Sequence, residues 1–248
     1  MRGALLRAKS SRSFFNITSP DCLHFSRRRL YICSGKCKSL KDFMPKIWVP
    51  KTVEPPYKHI TQIGDPILRQ KAGSLPVEEV SSPAMKFLFE RMISAMKSFK
   101  LVGVAAPQVG IPLRVIAMEF PKAVLENYTN EVAKTRNMQL LPLTVLVNPE
   151  LKVTDFSKNT FPEGCGSMTG FTANVTRYNG VELSGFDENG ARKTVKLNGW
   201  NARIAQHEMD HLEGTIFVDV MDRKTLQLNC WEMINAREGR VELRYYSK

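Results

Sequence analysis

The run Gln206-His207-Glu208-Met209-Asp210-His211 carries the spacing H-E-x-x-H, and no other feature restricts the chain as much. Residues four apart on a helix lie on one face, one turn above each other, so two imidazoles at that interval can close on a single metal ion. The glutamate beside the first histidine then reaches a water on that ion. The spacing predicts a helix through 207–211 and, at minimum, a metal-dependent hydrolase. A catalytic metal site keeps three protein ligands and one open position. No third histidine follows His211, and His24 and His59 lie far upstream.

Cys165 is a candidate for the missing ligand. It stands in Phe161-Pro162-Glu163-Gly164-Cys165-Gly166-Ser167, which reads as a glycine-flanked turn able to present a thiolate beside free backbone N–H groups. A lone cysteine is also read as a small buried apolar residue, and the spacing alone does not choose between the two.

Three ordered stretches together resemble the peptide deformylases. Glu163-Gly164-Cys165-x-Ser167 and Gln206-His207-Glu208-x-x-His211 are similar to the second and third motifs of that family. Val102-Gly103-Val104-Ala105-Ala106-Pro107-Gln108 is similar to its first, a glycine-rich G-x-G-x-[AS]-A-x-Q stretch. The resemblance covers roughly residues 58 to 222 and includes Gly64-Asp65-Pro66-Ile67-Leu68-Arg69. Two positions depart from the pattern. Leu101 stands where the family has the first glycine, and Gly166 follows the cysteine where the family often has leucine or glutamate.

The resemblance implies an α+β, peptide deformylase-like fold with antiparallel β-sheets around a central H-E-x-x-H helix. It implies one divalent metal ion, iron(II) first with zinc or cobalt next, held by Cys165, His207 and His211. A divalent ion lowers the pKa of a bound water from about 15.7 towards neutrality, and Glu208 is the group placed to take its proton. The side-chain amide of Gln108 and the backbone N–H of Gly166 are the expected oxyanion donors. The implied reaction removes formyl from the N-terminal methionine of a nascent peptide. Val102, Gly103 and Gly164 would flank the extended substrate backbone, while Phe161, Trp200 and Ile204 are candidates for the wall of the methionine pocket. Glu163, Gln206 and Arg203 stand beside ligands and could orient them, whereas Asp210 reads as a solvated helix residue. Two other functions share parts of this pattern: a metallopeptidase of unformylated peptides, and an inactive protein that docks at the ribosome.

Charge is concentrated at the N-terminus. Residues 1–50 hold 11 Lys/Arg against only Asp21 and Asp42, whereas the rest of the chain is nearly balanced. With no acid before Asp21 and abundant Arg and Ser, this stretch reads as a mitochondrial presequence, directing the protein to the matrix. Arg7, Lys9 and Arg12 interrupt every candidate for the apolar core of a secretory signal. No apolar stretch is long enough to span a membrane. Five irregularly spaced cysteines do not form a disulfide framework.

The expected organisation is therefore a presequence and basic lead-in over 1–50, a catalytic domain over 51–222 and an extension over 223–248 that packs on it. The partners expected are N-formylmethionyl nascent peptides, with the mitochondrial ribosome as a docking candidate and no direct nucleic-acid readout. The apolar surroundings of residues 161 to 171 leave room for a homodimer.

Ser82-Pro83 should cap a helix whose core face recurs at Met85, Leu88, Phe89, Met92, Ile93, Met96 and Phe99. Arg114–Met118 and Thr144–Val147 read as strands, with a polar loop or weak helix over 122–139 between them. Gly180–Phe186 and Lys193–Leu197 read as a hairpin around Asp187-Glu188-Asn189-Gly190. The alternating Val241–Tyr245 segment reads as an edge strand or a loosely packed tail.

Overall fold

A computed structural model describes residues 53–246, so the presequence reading lies outside the described residues. The first long element is helix α1 (Pro83–Ser98), begun as expected by Ser82, whose side chain accepts from the Met85 N–H with Pro83 in the first turn. Its apolar face buries Met85, Leu88, Phe89, Met92 and Met96. Strands β1 (Gly103–Ala105) and β2 (Val115–Phe120) follow, then two short helices, α2 (Lys122–Leu125) and α3 (Asn130–Thr135), in the segment that reads as polar. Long strands β3 (Leu141–Gly164) and β4 (Phe171–Phe186) and the shorter β5 (Arg192–Asn198) complete the main sheet.

All pairings along the order β1-β2-β3-β4-β5 are antiparallel. The 24-residue length of β3 is feasible because its register with β4 shifts at three places, and bulges of this kind bend a strand. Its first half pairs with β2 and its second half carries Phe161–Gly164 against Thr172–Val175 of β4. The stretch before Cys165 is therefore strand, and the turn begins only at the cysteine. That corrects the reading of Phe161–Gly164 as turn: its ladder bonds to β4 outweigh the local turn signal of Pro162 and Gly164.

Period-two alternation divides the core. Val115, Ala117, Val145 and Val147 face α1, whereas Ile116, Met118 and Leu146 face helix α4 (Gly199–Leu212), which carries the H-E-x-x-H residues. Each aliphatic side chain fully buried in these layers contributes about 1.5–3 kcal/mol. Fully buried Ala202 and Ala205 bring the α4 backbone close to the sheet, and helix and sheet enclose Glu208 and His211.

Beyond α4 come α5 (Phe217–Val220), β6 (Gln227–Leu228) and α6 (Trp231–Ala236). Strand β6 pairs with Phe171–Thr172 of β4, so the stretch read as an extension enters the sheet at its outset. Val241–Tyr245 forms no strand among the described residues. No helix among them is long and apolar enough to cross a membrane.

Candidate metal centre

Two elements meet at the centre: the end of β3, where Cys165 enters a turn, and α4, where His207 and His211 project four residues apart. Their ligand atoms, one sulfur and two imidazole nitrogens, all lie within 4.8 Å of one another, with Cys165 Sγ 3.2 Å from His211 Nε2. Tetrahedral bonds of about 2.0–2.3 Å put ligand atoms about 3.5 Å apart, so this set fits a divalent ion with little movement.

Electrostatics act in the same direction. Burial alone would raise the Cys165 thiol, but the two histidines reverse it and hold the pKa well below its ordinary value, which favours thiolate. Burial alone would lower the His207 pKa, but hydrogen bonds to Cys165 and Glu163 raise it well above the ordinary range. The negative charge that draws a proton to His207 is equally a pull on a cation.

His207 is oriented by Glu163, whose Oε2 lies 3.1 Å from Nδ1. A carboxylate only accepts, so Nδ1 carries the proton and Nε2 is left for a metal. Glu163 is held in turn by Arg177, through Nε and Nη2 at 3.0 Å each, and by Arg203 Nη1 at 2.6 Å. Burial opposes its ionisation, yet His207 and Arg177 keep its pKa well below the ordinary carboxylate value. Arg203 also donates to Val175 O and Asn159 O, which ties the helix to both long strands. Gln206 makes no hydrogen bond to the imidazoles among the described residues. Its amide bonds both backbone groups of Tyr178 and fixes α4 along β4. Asp210, read as solvated, accepts from Arg177 Nη1 at 2.6 Å, because the strand opposite the helix supplies a cation.

Glu208 is buried, and burial pushes its carboxyl pKa up to about 7 against the opposing pull of the two histidines. Its Oε2 has no hydrogen-bond partner among the described residues. Nearby, the Ala105 N–H donates to Gln108 Oε1, which turns the amide so that Nε2 faces Ser167 Oγ at 3.1 Å and Cys165 Sγ at 3.6 Å. Gln62 pins the cysteine turn: its Nε2 donates to Gly166 O and its Oε1 accepts from the Thr169 N–H. The Gly166 N–H has no backbone partner among the described residues.

One cavity of about 280 Å³ brings Gln108, Cys165, Gly166, His207 and Glu208 together with Val102, Gly103, Gly164, Trp200 and Ile204. Phe161 does not line it. Phe161 shares the strand face of Glu163, two residues on, and its ring packs against Arg136, Arg203 and Trp200. Tyr128 and Arg136 line the cavity instead, from the polar segment that gave no sign of a site. Arg177 also escapes a reading of the sequence. The only available signal is the rule that a buried carboxylate such as Glu163 requires a cation.

A family model described as polypeptide deformylase matches residues 57–227. The human mitochondrial peptide deformylase is 42% identical over 182 residues, which is 73% of this chain and 75% of that protein. Peptide deformylase 1A, chloroplastic/mitochondrial, of Arabidopsis thaliana is 36% identical over 224 residues, 86% of this chain and 80% of the relative. Among solved structures, the Met-Ala-Ser-bound class I type b peptide deformylase of Acinetobacter baumannii matches with a TM-score of 0.58 at 29% identity, over 65% of this chain and 96% of that one. A peptide deformylase of Synechococcus elongatus in complex with actinonin matches at 0.56 and 30% identity, over 77% of this chain and 91% of that one.

Proposed function

The chain belongs to the polypeptide deformylase family, and from that membership we propose how its residues divide the work. The protein is a metal-dependent hydrolase that removes the formyl group from the N-terminal formylmethionine of nascent mitochondrial polypeptides. The observation that carries this reading is the convergence of the ligand atoms of Cys165, His207 and His211 at a cavity whose wall also holds Glu208 and Gln108.

Cys165, His207 and His211 hold the ion, with iron(II) the metal we assign and zinc or cobalt the next in line. A divalent cation there acidifies water and polarises a carbonyl. Glu208 takes the proton as water oxygen adds to the formyl carbon. With a pKa near working pH it can also return that proton to the amine as the C–N bond breaks and formate leaves. The carbonyl oxygen becomes an oxyanion during the addition. Gln108 Nε2, already aimed by Ala105, and the Gly166 N–H are the donors we assign to it. Val102 and Gly164 flank the peptide backbone, and Trp200 and Ile204, joined by Tyr128 and Arg136, wall the methionine side chain. The compartment we assign is the mitochondrial matrix.

The reaction is tested by the products from formyl-Met-Ala-Ser with the iron(II)-loaded full chain. Formate and intact Met-Ala-Ser are expected. Cleavage of unformylated Met-Ala-Ser to methionine and Ala-Ser, without formate release from the formylated peptide, would instead identify a metallopeptidase.

Glu163 gives a separate test. Exchange for glutamine leaves Arg177, Arg203 and His207 without their shared charge. Metal affinity should fall by about 10–100-fold and folding stability by about 3 kcal/mol, read by metal titration and denaturant unfolding. Wild-type values for both would contradict its role as the anchor of His207.

A further inference from the structure

The two departures from the family pattern, Leu101 and Gly166, meet in space across the wall of the cavity. A Cβ built on Gly166 would lie 2.8 Å from Leu101 Cδ1, 3.2 Å from Cδ2 and 3.4 Å from Ile60 Cγ2. The backbone conformation of Gly166 is not in the left-handed region, so occupied space, and not φ, is what excludes a side chain there. Retreat of the turn is blocked as well, because Gly166 O is held by Gln62 Nε2 at 2.9 Å and by Thr169 Oγ1 at 3.2 Å.

Leu101 is equally fixed. Lys100, at φ 56, ends α1 in the left-handed conformation, and the Leu101 N–H closes back on Met96 O at 2.8 Å. Its side chain packs against the core layer under α1 and lines the cavity together with Gly166.

We propose that Leu101 and Gly166 are a reciprocal pair, in which Leu101 supplies from the first motif the apolar wall over the cysteine turn and contacts the bound formyl-peptide. The inference rests on the deformylase reading. Leu101 is thereby a specificity-determining residue: it covers the backbone beside the Gly166 N–H with an apolar surface, and the bare glycine is what admits it. A leucine at 166 would furnish the same surface from the opposite strand end, provided that Leu101 were absent.

The test is a double-mutant cycle of the metal-loaded full chain, Leu101→Gly, Gly166→Leu and the pair. It reads kcat and KM for formyl-Met-Ala-Ser and the affinity for the product Met-Ala-Ser, with thermal unfolding as the fold control. Leu101→Gly should raise KM and weaken product binding about tenfold, the scale of one lost leucine contact, with kcat less affected. Gly166→Leu should lower kcat/KM at least as much through overpacking. The pair should recover to within about threefold of wild type, well short of the product of the two losses. If Leu101→Gly does not fold, Leu101→Ala takes its place in the cycle. Losses that simply multiply, or unchanged KM and product affinity in the Leu101 variant, would overturn the proposal. Because product binding requires no turnover, the cycle still judges the pair if the wild-type chain releases no formate, a result that would count against the deformylase reading alone. A wild-type chain that also failed to bind product would overturn both.

Discussion

Glu208→Gln should reduce formate release about a thousandfold while leaving the protein folded and metal-loaded. The amide keeps the size and shape of the carboxyl and disturbs neither Cys165 nor the two histidines, but it cannot take a proton. This carboxyl is buried, its Oε2 has no hydrogen-bond partner among the described residues and its pKa is pushed up to about 7, the properties of a group ready to exchange protons with a molecule in the cavity. Steady-state formate assays, paired with metal analysis of the same preparation, check the expectation. Turnover within a fewfold of wild type at full metal content would remove Glu208 from the proton transfer.

Gly103→Ala should be nearly as damaging, although alanine is the smallest side chain that can be added. A Cβ at 103 would lie 2.2 Å from Glu208 Oε1 and 2.7 Å from Cδ, far inside van der Waals contact. The strand cannot retreat, because Gly103 pairs with Met118 and α1 packs on the face of β1 away from α4. The carboxylate must therefore move, and a displacement on the order of 1 Å at a reacting group costs about a hundredfold in rate. The loss should fall on kcat, with metal content unchanged. An alanine variant of native activity would show that Glu208 has room to spare and that its position against β1 is incidental. Glycine at this position thus acts on catalysis through its neighbour on the helix.

Gly103 also marks the limit of what could be read in advance. Its motif, the cysteine and the H-E-x-x-H spacing are local patterns, and each names a functional group by residue type. The cap at Ser82, the hairpin around Asp187–Gly190 and the central helix were legible for the same reason, since their determinants lie within a few residues of one another.

What the sequence did not disclose depends on distance along the chain. Arg177 and Arg203 come from different elements to share Glu163, and the half-buried Asp210 is ion-paired because Arg177 stands opposite it. The apolar character of Phe161 points to the cavity, but its ring packs against Arg136, Trp200 and Arg203, and it is those side chains that line the cavity. The turn reading of Phe161–Gly164 failed for a related reason: strand pairing over the full length of β4 is stronger than the local preference of one proline and one glycine. Gln62 and Leu101 were in plain view, yet nothing in the sequence says that they touch residues 166 and 169, more than 60 positions away.

The central claim is that Cys165, His207 and His211 hold one ion on which hydrolysis depends. Its most direct test is titration of the metal-stripped full chain with iron(II) under anaerobic conditions, following formate release from formyl-Met-Ala-Ser. The account predicts no turnover before metal, a linear rise that saturates at one ion per chain, and no rise in Cys165→Ala. Formate release by the metal-free protein, or full activity in the cysteine variant, would contradict it.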